Sequence, residues 1–115
     1  MNINKEYLDN KVKNALWESI ELLAIEEGNL KERLKQIFIG GPLYMIDINL
    51  FSDKLKPKWQ EIEKMITKYP ATYDLSGKLL LSNIEATLIR IKNKTASRIA
   101  KLIVELYYEI NTIKK

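Results

Sequence analysis

A chain of 115 residues falls within the usual size of one domain, and a globule of that length buries roughly two thirds of the surface its unfolded chain exposes. Its 46% hydrophobic and 30% charged residues, with a formal net charge of +4, are ordinary for a folded protein and exclude wholesale disorder. Cysteine and histidine are both absent, which removes disulfide frameworks, zinc ribbons, thiol nucleophiles and imidazole acid–base chemistry at once.

Taken from the N-terminus at about 100° per residue, Leu8, Val12, Ala15, Leu16, Ile20 and Leu23 form one apolar stripe, which predicts an amphipathic helix from about residue 4 to 26. Gly28 can take the left-handed conformation that ends it. Asn29 then stands three residues before Glu32, the spacing of a helix start at which cap and third residue satisfy each other's backbone donors. The second helix carries Leu30, Leu34, Ile37 and Phe38 and must stop or bend at Gly40-Gly41-Pro42.

From Leu43 to Phe51 the pattern alternates like a strand, yet a single short strand without a mate would leave its backbone groups unpaired. The expectation is a buried, mostly non-sheet crossover with one helical turn. A third helix follows from Ser52 or Pro57 to Lys68, with Ser52 and Asp53 as initiators and Leu55, Trp59, Ile62, Ile66 and Tyr69 as its stripe. Residues 69–77 mix turn formers with two tyrosines and read as the one substantial loop, its aromatics folded back onto the body.

Ser82 and Glu85 repeat the capping-box spacing for a short fourth helix with Ile84, Leu88 and Ile91 inward. Asn93 is the next cap. The last helix then runs from Lys94 to Thr112 with Ile99, Leu102, Ile103, Leu106, Ile110 and Ile113 as its stripe. The fold class is therefore all-α, a single domain over residues 1–115 in the form of a compact bundle of four to five helices, with an irregular or strand-like crossover at residues 43–51.

The charge is unevenly placed. Residues 1–30 hold three lysines and six acids, whereas residues 91–115 hold six basic residues and two acids. If the first and last helices lie side by side, the two ends compensate each other. Within the basic end, Arg90, Lys92, Lys94, Arg98 and Lys101 crowd around a helix start with no acid between them. Free amides at Lys94, Thr95 and Ala96, with the hydroxyls of Thr95 and Ser97, would suit an anion there. The same turn invites a helix-turn-helix reading for nucleic acid, but it lacks glycine, and Glu105 and Glu109 on the outward face would repel phosphates.

Trp17 falls well off the first helix's stripe, and Val104 with Tyr108 forms an i, i+4 pair nearly opposite the stripe of the last. Side chains of this kind either meet a third element of the bundle or serve as anchors for another chain.

Catalysis finds little to work with. Glu18, Glu21, Glu26 and Glu27 have the spacing of a solvated helix face, and Gly40-Gly41 lacks the lysine and longer glycine pattern of a phosphate loop. The expectation is a non-enzymatic protein with no cofactor, metal or small-molecule substrate. With no leader or spanning segment read from the sequence, the expected home is the cytoplasm, away from membranes. The leading partner is another protein, a second copy of the chain included. The leading role is that of an inhibitor, immunity or antitoxin-like factor, or accessory subunit, of a bacterial or phage complex. The alternative is a nucleic-acid-binding protein that uses the basic turn at residues 90–101.

Overall fold

The computed structural model describes residues 5–44 and 46–112, with side chains from residue 10 onward. Residue 4 and Ile113, outer members of the expected first and last helices, lie outside the described residues, as do the side chain of Leu8 and Met45 in the crossover. Five α-helices form the body: α1 (Lys5–Ile25), α2 (Leu30–Phe38), α3 (Lys56–Ile66), α4 (Asn83–Arg90) and α5 (Asn93–Thr112). Between α3 and α4 stands an antiparallel hairpin of β1 (Thr72–Tyr73) and β2 (Leu79–Leu81).

The corner between α1 and α2 is built from three local devices. Gly28 takes φ +96°, which an L side chain rarely adopts. The Asn29 side chain then accepts from the Glu32 amide at 2.9 Å and caps α2. From α2, the Arg33 guanidinium donates back to the Leu23 carbonyl, placing a cation where the end of α1 is electronegative.

After α2 the chain turns tightly, with the Leu43 amide donating to the Ile37 carbonyl at 3.0 Å. The crossover holds a single 3-10 turn at Ile48–Leu50, started by Asp47, whose carboxylate accepts from the Asn49 amide at 3.2 Å. It is irregular as expected, and carries no strand among its described residues. Phe51 is buried at its end and stacks on Trp59 with ring centroids 5.0 Å apart.

Neither Ser52 nor Asp53 caps α3 as expected. The N-cap is Leu55, without a side-chain hydrogen bond, and the backbone carbonyl of Ser52 accepts from Leu55 and Lys56 instead. Asp53 contributes an ion pair to Lys56 at 3.0 Å. Pro57 sits in the first turn, where a missing amide donor is harmless.

The loop expected at residues 69–77 contains a strand. A hairpin forms because the Asp74 carboxylate accepts from the backbone amides of Ser76 and Lys78, at 2.8 and 2.9 Å, and from the Ser76 hydroxyl at 2.7 Å, closing the turn. Those bonds hold its carboxyl below the ordinary value, the Ser76 side chain foremost. Of the two loop tyrosines only Tyr69 folds back onto the core; Tyr73 is exposed. Ser82 and Glu85 form the complete capping box of α4, at 3.2 and 3.1 Å.

One continuous core runs through the body, from Val12 and Leu16 of α1 to Ile103 and Leu106 of α5. Helix α5 is the central strut, packing against α1, α2 and α3, while α4 lies on α2 and α3. Ion pairs follow this arrangement. Lys58 of α3 bridges Glu105 and Glu109 of α5 at 3.4 and 2.7 Å, and Glu61 of α3 holds Arg98 at 2.8 Å. Helices α1 and α5 do pack side by side, but among the described residues the ion pairs of α5 all run to α3. No helix among those residues is long and apolar enough to cross a membrane.

Candidate partner-binding surface

Trp17 and Tyr108, placed off the apolar stripes by the sequence, both lie on the surface, 48% and 65% exposed. They are joined through a residue that the periodicity did not single out. The Tyr107 ring is 5.7 Å from that of Trp17 and 6.1 Å from that of Tyr108, so three aromatics form a chain across α1 and α5. Tyr107 is half-buried and packs on the core from below. Val104, expected beside Tyr108 on the outer face, is half-buried. A Tyr-Tyr pair beside the off-stripe Tyr108 was the available signal for Tyr107, since on a helix adjacent residues turn by about 100° and can straddle the edge of a face.

The basic turn looks different in space than along the chain. Lys94, Thr95, Ser97, Arg98 and Lys101 do come together with Met65 around a concavity of about 350 Å³. Arg90 and Lys92 do not line it. Arg90 instead lies over the Tyr69 ring at 5.3 Å, and Lys92 is exposed in the turn. Arg98 is paired with Glu61, so the acid missing from the linear run is supplied by α3.

The amides also fall differently. Helix α5 begins one residue early, with Asn93 inside it, and the Ala96 amide donates to the Lys92 carbonyl at 3.1 Å. Ala96 thus has no free N–H to offer an anion. Glu105 and Glu109 are half-buried against Lys58 and are not the open carboxylates expected on the outer face. Their pull, with that of the Glu109 contact largest, raises the Lys58 pKa above its ordinary value of 10.5.

A second apolar surface escaped the sequence reading. Tyr73, Leu75, Leu79 and Leu80 of the hairpin and Ile89 of α4 are all exposed. Three consecutive leucines after a turn were the signal, because a run of that kind on a short two-stranded sheet must present at least one side chain to solvent. Beside this surface a cleft of about 240 Å³ has Leu81, Leu88 and Ile89 among its walls and the Lys35–Glu85 pair, 3.7 Å apart, at its rim.

Further concavities lie elsewhere among the described residues. One, of about 530 Å³, lies where Glu18, Glu21 and Ile25 of α1 face Gly40-Gly41-Pro42. Another, of about 230 Å³, opens between α3, α4 and the crossover, with Trp59 and Glu63 in its lining. Burial pushes the Glu63 carboxyl up, the nearby Asp47 charge adds to this, and the Trp59 indole opposes it. Among the described residues no group of three or more acids gathers as a cation site would require.

These features define a small helical bundle with an attached hairpin and a surface aromatic cluster. No family model, curated protein or solved structure matches the chain.

Proposed function

We propose that this chain is a non-enzymatic protein-binding factor whose docking face is the aromatic cluster across α1 and α5. The supporting observation is the ring chain Trp17–Tyr107–Tyr108, in which two large aromatics stay exposed while the third ties them to the core. Aromatics held in this way lose little conformational freedom on contact and supply much apolar area, which is why Trp and Tyr dominate the energetics of protein interfaces. The partner is another protein, with a second copy of the chain as the simplest candidate. Its role is that of an inhibitor, immunity or antitoxin-like factor, or accessory subunit, in a bacterial or phage system. The nucleic-acid reading is the weaker, because Arg98 and Arg90 already have partners within the chain.

The double variant Trp17→Ala/Tyr108→Ala tests this. Tyr108 is mostly solvated and Trp17 about half, so the melting temperature should fall by only a few degrees. Co-purification of the partner that the wild-type chain retains should drop by about tenfold or more, as for loss of two anchor residues. Undiminished recovery by a folded double variant would contradict the proposal.

A further inference from the structure

At its outer end the hairpin presents apolar side chains to solvent. Every residue from Leu75 to Leu80 is exposed, as is Tyr73, the cross-strand partner of Leu79. Leu75 at the turn is 110% exposed, and Leu79 and Leu80, successive on β2, are 52% and 59% exposed. An unbroken exposed run of this length places the end of the hairpin clear of the helices. Contiguous apolar surface of this kind marks a contact with another protein or with a membrane, and the charge around it separates the two. Lys78 stands just before β2, while Lys68 and Arg90 lie over the ring of Tyr69, three residues before β1, at 5.7 and 5.3 Å. Among the described residues none of these three cations forms an ion pair. The acids of the hairpin and of α4 are engaged. The Asp74 carboxylate turns back onto the Ser76 and Lys78 amides, and Glu85 accepts from the Ser82 amide and pairs with Lys35.

We propose that this end of the hairpin docks on an anionic phospholipid surface, with Tyr73, Leu75 and Leu79 at the boundary of headgroups and acyl chains and the three cations among the headgroups. The dimensions agree. At about 3.3 Å per residue the turn stands about 10 Å beyond the start of β1 at Thr72, and interfacial segments enter to about 5–10 Å. Lysine and arginine keep their charged heads in the polar layer while their stems follow apolar surface, and tyrosine favours the same layer. Lipid surrounds what it receives, so it covers a projecting end from all sides, whereas a flat protein surface covers one. The formal net charge of +4 adds to the attraction. A second copy of the chain fits less well. It would bring the same three cations against these, and strands of two and three residues offer few ladder bonds for pairing edges. The expectation of no membrane contact rested on leaders and spanning segments, and a docked hairpin needs neither. None of this draws on the α1–α5 face, so the two proposals stand or fall separately.

The test floats the full chain with vesicles of phosphatidylcholine, either alone or with about 30% phosphatidylserine as the anionic lipid. Binding should be at least about tenfold tighter to the anionic vesicles, and should weaken in about 1 M salt, where screening shortens the reach of charge to about 3 Å. Leu75→Ser/Leu79→Ser should cut binding at least about tenfold, and Lys78→Glu by about tenfold. All three positions are exposed, so each variant should melt within a few degrees of the wild-type chain. The comparison of the two vesicles is made with the wild-type chain and does not depend on a variant folding. Bromine-labelled lipid locates the contact: it should quench the added indole of Leu75→Trp and leave the wild-type fluorescence of Trp17 and Trp59 unchanged. The proposal is overturned by no flotation with the anionic vesicles, by undiminished flotation of the folded leucine variant, or by quenching of the wild-type chain as strong as that of Leu75→Trp. A wild-type dimer in sedimentation that the leucine variant abolishes also overturns it, and assigns the hairpin to a second copy.

Discussion

Thr87 has no solvent exposure, yet its side chain is polar, and its partner is remote in sequence. Its hydroxyl accepts from the Tyr69 amide at 2.9 Å, fastening the segment that leaves α3 to the inner face of α4. Replacing Thr87 by the isosteric Val keeps the volume but strands a backbone donor, so urea unfolding should show a loss of about 1–2 kcal/mol. An unchanged midpoint would mean that the amide finds water instead. Gly41 is constrained in another way. A Cβ there would run into the backbone carbonyls of Gln36 and Ile37, so the close return of the chain over the end of α2 admits only glycine. The need for a breaker at 40–42 was legible from the sequence, but not which glycine is sterically essential, because that depends on where the turn folds.

At the scale of elements, the helices were the legible part, since apolar spacing and end signals agreed. The capping box at Ser82 formed as its spacing implied, whereas at Asn29 the structure shows one half of the reciprocal pair, the side chain accepting from the Glu32 amide. Alpha3 was placed correctly but capped differently, because three residues between Ser52 and Lys56 were needed to form a turn and put the hydroxyl out of reach of the helix start. The hairpin was missed because its strands of two and three residues are too short for alternation to register. What stabilises it is the turn at Asp74 and the packing of β2 on α4.

Helices α3 and α5 are joined by Lys58, whose pKa is raised mainly by Glu109. A raised lysine pKa contributes stability that is complete below the unfolded value of 10.5 and is lost as pH climbs through the folded one. Lys58→Met should therefore reduce stability by about 1 kcal/mol at pH 7, partly by leaving Glu105 and Glu109 uncompensated, and the gap from wild type should narrow above pH 10.5. Urea titrations at neutral and alkaline pH check the sign. A gap that widens with pH would contradict it.

Across the whole molecule, charge proved the least readable property. The excess of acid in residues 1–30 and of base in residues 91–115 suggested that the two end helices neutralise each other. They are neighbours, and among the described residues the ion pairs of α5 run to α3, with Arg98, one of the expected free cations, among those paired. Linear runs of charge do not reveal which third element will lie across them. The aromatic positions were more readable, because a large apolar residue off its helix's stripe must find cover outside the regular core. Trp17 and Tyr108 carried that signal individually. Only the packing of α1 on α5 brought them together through Tyr107.

The docking role of this face is tested most directly by a photo-crosslinking residue placed at Trp17, at Tyr108 and, as a control, at the exposed Gln60 of α3, in cells of the native host. The account predicts one discrete adduct shared by positions 17 and 108 and missing from position 60, with an adduct of twice the chain's mass marking a second copy as the partner. No adduct from either aromatic position, or the same products from all three, would contradict it.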